Sequence, residues 1–194
     1  MSPRAAPERN LPAAEAPAST CSIGQDAPPR AKAAQVMAVS SGLLREALRH
    51  QEDGNRARAG QLLDRVLEQD PRNLRALIHL GHLRRAEGQL YESLLLYQRA
   101  LHLDGGNADA HLGLGQAFAE LDWVQTAEGH LRLALDANPN LLEAFIGLSR
   151  CLLAQGRRHE AIVACEEAIL LMPDCRQAHE ILEQAARAES DHTP

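Results

Sequence analysis

Apolar and small residues recur along most of this chain with the spacing of α-helices, and the whole pattern repeats every 34 residues. Four units share one register, over residues 40–73, 74–107, 108–141 and 142–175. Each unit contains two amphipathic segments that are separated by a turn residue. The pattern therefore predicts an all-α protein that is built from pairs of antiparallel helices.

Three positions of each unit carry small residues, because neighbouring helices must approach closely there. The eighth, twentieth and twenty-seventh positions hold Ala, Gly or Ser, with Val66 as the exception. In chain order these residues are Ala47, Gly81, Gly115 and Ser149, then Ala59, Ser93, Ala127 and Ala161, and finally Val66, Ala100, Ala134 and Ala168. Glu46 stands where later units have Leu, so the first unit is expected to be a terminal repeat.

Turn residues follow the same register. The fifteenth position, where the two helices of a unit reverse direction, holds Gly54, Gly88, Asp122 and Gly156. The thirty-second position, between units, holds Pro71, Gly105, Pro139 and Pro173. Asn73 and Asn107 follow two of these breaks and are predicted to cap the next helix. Nine helices are expected in all.

The two ends of the chain differ from the repeats. Residues 1–30 hold six of the ten prolines and few large apolar side chains, which predicts a disordered segment. Residues 31–39 are expected to extend the first helix or to form a linker. Residues 176–188 carry Ile181, Leu182 and Ala185 on one face, which predicts a capping helix before a short tail over residues 189–194.

Units of 34 residues, with these small positions and with proline at the thirty-second, resemble the tetratricopeptide-repeat (TPR) family. The resemblance covers residues 40–175 and the capping helix. His111 departs from it, because the fourth position is bulky and apolar in the family and in Leu43, Leu77 and Phe145 here. The resemblance implies a right-handed superhelical α-solenoid of four helix pairs, whose first helices line a concave groove.

The resemblance also implies which side chains face that groove, namely those at the second, fifth, ninth, twelfth and thirteenth positions of each first helix. The fifth position is apolar in every unit, so we expect its side chains to form a stripe in the groove and not between helices. The alternatives are that the N-terminal segment covers this stripe or that it packs between neighbouring helices. The predicted partner-binding residues are Leu44, Leu48, Arg75, Ile78, His79, His82, Arg85, Asp109, Leu112, Gln116, Glu143, Ile146, Arg150 and Leu153.

One subfamily does not match. Co-chaperones that bind Hsp70 or Hsp90 hold the C-terminal carboxylate of their partner with a clamp of Lys, Asn and Arg. In this chain the first two clamp positions are Leu44 and Leu48, and Ile78 and His82 follow in the second unit. Carboxylate-clamp binding to Hsp70 or Hsp90 is therefore not expected.

Composition narrows the function further. The net charge is -6 and the basic residues are scattered, which argues against a nucleic-acid partner. No stretch is apolar enough to insert into a membrane, and residues 1–10 lack the core of a secretory signal, so a cytoplasmic location is expected. No catalytic motif and no cofactor site is predicted, and His79 with His82 lacks the further ligands that zinc requires.

These observations predict a scaffold, adaptor or assembly chaperone that binds a peptide or an amphipathic helix of another protein in its groove. One option within this class resembles the small acidic TPR chaperones of type III secretion, although those have three units and more aromatic residues. The alternative function is a permanently docked structural subunit, or a self-assembling scaffold, of a larger complex.

Overall fold

The computed structural model describes the backbone of residues 29–190 and the side chains of residues 37–187. Within these residues the chain forms nine α-helices and no β-strand, so the predicted all-α class is confirmed. In chain order the helices are α1 (Pro29–Glu52), α2 (Arg56–Gln69), α3 (Leu74–Ala86), α4 (Leu90–Leu103), α5 (Ala108–Glu120), α6 (Val124–Ala137), α7 (Leu142–Ala154), α8 (Arg158–Leu171) and α9 (Arg176–Ser190).

The helices form a solenoid in which each one packs against the helices before and after it. The odd-numbered helices also contact one another, α3 with α5, α5 with α7 and α7 with α9, whereas the even-numbered helices are not joined in this way. The array therefore curves, with α3, α5, α7 and α9 on its inner side. Three apolar clusters follow each other along the stack and form one extended core.

The predicted small positions are helix contacts. All twelve residues at the eighth, twentieth and twenty-seventh positions are buried, including Val66. A Cβ atom added to Gly115 would lie 3.3 Å from the carbonyl oxygen of Ala127, which shows how closely α5 approaches α6. A larger residue at either position would force the two helices apart.

The predicted turns and caps are confirmed as well. Gly54, Gly88 and Gly156 have positive φ angles of 75° to 78°, and Asp122 takes their place with a φ of 62°. A left-handed residue ends a helix efficiently, and glycine adopts that conformation without steric cost. The side chains of Asn73 and Asn107 accept hydrogen bonds from the backbone N–H groups of Ala76 (3.1 Å) and Ala110 (3.0 Å), as expected of N-caps.

The ends of the chain differ in detail from the expectation. Helix α1 begins at Pro29, so residues 31–39 belong to a helix of 24 residues, whereas α3, α5 and α7 have 13. Helix α9 continues to Ser190, two residues beyond the expected end, and buries Ala178, Ile181 and Ala185. The predictions for residues 1–28 and for residues 191–194 lie outside the described residues.

Candidate functional site

The inner side of the solenoid contains a cavity of about 440 Å³ between α5, α7 and the start of α9. Its floor is formed by small and apolar residues, among them Gly115, Ala119 and Gly147. Five of the predicted groove residues meet in its lining: Arg85, Gln116, Glu143, Ile146 and Arg150. The prediction missed Gln177, which α9 contributes to the lining because the first turn of this helix continues the row of inner helices.

The four residues at the fifth position do not form an exposed stripe. Leu44, Ile78, Leu112 and Ile146 are only 7–8% exposed, and each belongs to one of the apolar clusters of the core. The expectation of a stripe in the groove is therefore wrong for Leu44, Ile78 and Leu112, whereas Ile146 also lines the cavity. Apolar residues of the neighbouring helices in these clusters cover this position. Leu48 and Leu153 are half-buried and pack against the same clusters.

His82 is also part of the packing. Its Nδ1 atom lies 2.9 Å from the hydroxyl oxygen of Tyr97, and the two rings meet edge to face. Burial, with smaller contributions from Arg85 and His79, lowers the pKa of His82 to about 4. Burial raises the pKa of Tyr97 above its ordinary value. At neutral pH, His82 is therefore an uncharged hydrogen-bond partner of Tyr97.

His79 is more open than His82. Burial lowers the pKa of its imidazole; Arg75 acts in the same direction, and the carboxylate of Asp109 opposes them. Arg75 and Asp109 lie on neighbouring first helices, and neither is fully buried, so their charges remain available to a partner. Among the described residues no group of three or more His, Cys, Asp or Glu side chains is arranged to hold a metal ion.

The rim of the cavity carries charges of both signs. Arg85 on α3 pairs with Glu120 on α5, and this ion pair links two successive units. The Nε atom of Arg85 is buried without a hydrogen-bond partner in the described part of the chain. Glu143 and Arg150 lie seven residues apart on α7, both exposed. Neither makes an ion pair with another described residue. Their charges are therefore free to meet a ligand.

Comparison with known proteins decides the family. A family model described as "TPR repeat" matches residues 81–122, and one described as "Tetratricopeptide repeat" matches residues 124–185. The chain belongs to the tetratricopeptide-repeat family. TPR proteins are in general interaction scaffolds for other proteins, and their repeats are typically not enzymes. No curated protein sequence matches the chain.

Solved structures of other TPR solenoids are similar to this one. MamA is 24% identical with a TM-score of 0.66, and the match covers 74% of this chain and 84% of that chain. The Pseudomonas aeruginosa pilF protein is 19% identical with a TM-score of 0.73, over 81% of this chain and 72% of that one. A thermophilic TPR protein of Thermus thermophilus is 17% identical with a TM-score of 0.67, over 77% and 82% of the two chains. At these identities the likeness concerns the fold alone.

The TPR register contains one more packing position that the sequence analysis did not single out. The twenty-fourth residue of each unit, Leu63, Tyr97, Leu131 or Cys165, is buried at the centre of its helix pair. Tyr97 lies between Gly81 of its own unit and Gly113 of the next, and Leu131 lies in the same way between Gly115 and Gly147. In the sequence, this packing position is indicated by a glycine at the eighth position of one unit together with a glycine at the sixth position of the next unit.

No helix between residues 29 and 190 is long and apolar enough to cross a membrane. Cys151, Cys165 and Cys175 are free thiols and all three are buried, as expected for the first two. Burial raises the pKa of the Cys151 and Cys165 thiols, so neither is poised to react as a thiolate.

Proposed function

We propose that this TPR protein is an adaptor or assembly chaperone that binds a segment of another protein in the cavity on its inner side. The observation that carries the proposal is the cavity itself, in which residues of α3, α5, α7 and α9 meet around an apolar floor. A concave site with a few polar groups at its rim is the usual form of a binding site.

The charges at the rim indicate what the partner segment carries. Glu143 and Arg150 lie on one face of α7 and are separated by two helical turns, or about 10 Å. An amphipathic helix, or an extended peptide, with a basic and an acidic side chain at the matching separation would pair with both. Apolar side chains between them would fill the floor beside Gly147.

Site-specific photocrosslinking in cells tests the proposal. A photoreactive amino acid is introduced at Gln116, which lines the cavity, and at Gln61, which is exposed on α2, as the control. The proposal predicts that Gln116 crosslinks to one protein that Gln61 does not reach. A partner that crosslinks at Gln61 alone would contradict it.

A charge exchange supplies the matched control. The double variant Glu143→Arg and Arg150→Glu keeps the net charge but reverses the arrangement at the rim, so the crosslink at Gln116 should be lost. Exchange of Arg65 and Glu68, both exposed on α2, should leave it unchanged. Circular dichroism confirms the helix content of both variants. An undiminished crosslink in the first variant would exclude recognition by these charges.

A second candidate function is a structural subunit that stays docked in a larger complex. Exposed apolar side chains on the outer helices favour it, above all Tyr91 and Leu95 one turn apart on α4 and Leu170 at the end of α8. Sedimentation of the purified protein distinguishes the two functions, because an adaptor remains a monomer or dimer without its partner. A cytoplasmic location, as expected from the sequence, remains part of the proposal.

A further inference from the structure

A pair of histidines stands in the third unit where the other units have apolar residues. The fourth and twenty-third positions are Leu43 and Leu62, Leu77 and Leu96, and Phe145 and Ala164 in the other units, but His111 and His130 in the third. The first residue of each pair lies on the first helix of its unit and the second on the second helix. The third unit therefore carries two titratable side chains at positions that are apolar in the other three units.

The two rings are joined by a hydrogen bond and a stack. His111 Nδ1 lies 3.2 Å from His130 Nδ1, and the ring centroids are 5.5 Å apart. His130 stacks on Phe118, which in turn stacks on Trp123 at the start of α6. His111 is buried and His130 is half-buried, so water cannot readily replace the bond between them.

A second hydrogen bond determines where the hydrogens are. His111 Nε2 lies 3.2 Å from the carbonyl oxygen of Gly105, which can only accept, so this nitrogen carries a hydrogen. In the neutral pair, His111 Nδ1 is therefore the acceptor and His130 Nδ1–H is the donor. The bond to Gly105 also holds the turn between the second and third units, where glycine replaces the proline of the other units.

The arrangement limits how many protons the pair accepts. A first extra proton can go to His130 Nε2, and the bond between the two Nδ1 atoms survives. A second extra proton can go only to His111 Nδ1, where two N–H groups would face each other between two positive rings. Burial lowers the pKa of His130, and a positive charge on the His111 ring lowers it further.

Other charged groups do not relieve this conflict. In the turn before α5, the carboxylate of Asp104 accepts hydrogen bonds from Gly106 N–H and the Asn107 amide. Asp109 on α5 acts on His79 instead. Charged residues on α3 to α7 have other partners or line the cavity: Arg85, Glu92, Arg99, Glu120, Glu128, Arg132, Glu143 and Arg150.

We propose that His111 and His130 form an acid-sensitive latch, which holds α5 against α6 when it carries at most one extra proton and opens when it takes up a second. Opening separates α5 from α6 and releases the Gly105 turn. Because α5 also lines the cavity with Gly115 and Gln116, the latch couples pH to the shape of that cavity. The inference concerns the packing of the third unit and does not depend on what the cavity binds.

Proton linkage gives the expected size of the effect. In the unfolded chain both rings have ordinary pKa values near 6.5, so below about pH 6 the unfolded pair carries two extra protons. The geometry of the folded pair leaves room for one extra proton at most, so the unfolded state binds one proton more. The equilibrium constant for unfolding should therefore rise by about tenfold for each pH unit below 6 on account of this pair.

The test compares the full chain with the variant His111→Leu/His130→Leu, which restores the apolar pair of the second unit. Denaturant unfolding is measured between pH 7.5 and 4.5 with a chelator present, so that trace metals do not occupy the rings. Below pH 6, each fall of one pH unit should raise the equilibrium constant for unfolding about tenfold more in the wild type than in this variant. Equal slopes would overturn the proposal. His159→Gln, at an exposed histidine of α8, is the control and should keep the wild-type slope.

A second measurement needs no variant at all. Nitrogen NMR of the imidazole rings at pH 7.5 reports which nitrogen of each histidine carries the hydrogen. The latch requires the Nε2–H form for His111 and the less common Nδ1–H form for His130. Two Nε2–H rings would overturn the proposal, since no hydrogen would then lie between the two Nδ1 atoms.

Discussion

Gly113 offers a sharp test of how the helices pack. A Cβ atom added there would clash with three atoms of the Tyr97 ring, which is fully buried. The ring has little room to move away, because Gly81 lies so close to it that a Cβ atom built there would be 2.6 Å from Tyr97 Cε1. Its hydroxyl group is held by His82 as well. Gly113→Ala therefore has to shift either a helix or the ring.

Two opposing contributions determine the magnitude. Overpacking a buried contact costs about 1–3 kcal/mol. Replacing glycine by alanine inside a helix stabilises the helix by about 0.5–1 kcal/mol. The net loss for Gly113→Ala is then about 0.5–2 kcal/mol, and for a protein of this size each kcal/mol shifts the thermal midpoint by about 2–4 °C.

Gly129 provides the matched control. It lies inside α6, it is exposed, and no atom lies within 4 Å of an added Cβ. Gly129→Ala should therefore gain only the helix contribution and raise the thermal midpoint, whereas Gly113→Ala should lower it. Tyr97→Leu in the Gly113→Ala background should restore part of the loss. If both alanine variants were stabilised alike, the close contact at Tyr97 would be refuted.

Three further predictions concern stability. Ala127→Leu should overpack the contact of α6 with α5 and cost about 1–3 kcal/mol, which is checked by the midpoint of thermal unfolding. Glu at both Ile78 and Leu112 should unfold the second and third units, since each carboxylate would be buried in the core, and native helix content by circular dichroism would contradict this. The folded pKa of His82, about 4, lies below the ordinary 6.5, so its contribution is complete above pH 6.5 and is lost as pH falls towards 4. The loss in the free energy of unfolding is on the order of 3 kcal/mol. Denaturant titrations over this pH range should therefore show stability falling more steeply with decreasing pH in the wild type than in His82→Gln.

Much of the fold could be predicted from the sequence because its causes are local. A left-handed residue such as Gly54 ends a helix wherever it stands, and Asn107 caps the helix that directly follows it. The repeat adds to this local evidence, because a small residue at the same position of all four units indicates a contact between helices. The candidate site was predicted less well. Arg85, Gln116, Glu143, Ile146 and Arg150 do meet in the cavity, whereas Leu44, Ile78 and Leu112 belong to the core.

The sequence by itself determined the period, the nine helices between residues 29 and 190 and the turns between them, because hydrophobic spacing, capping and backbone conformation act within a few residues. Tertiary structure alone decided which side of each first helix is covered, because this depends on the curvature of the stack and on the next helix, 34 residues away. It also decided that His111 meets His130, 19 residues later, and that Tyr97 lies between two glycines. Contacts of this kind arise only once antiparallel helices are in register, and no single segment encodes them.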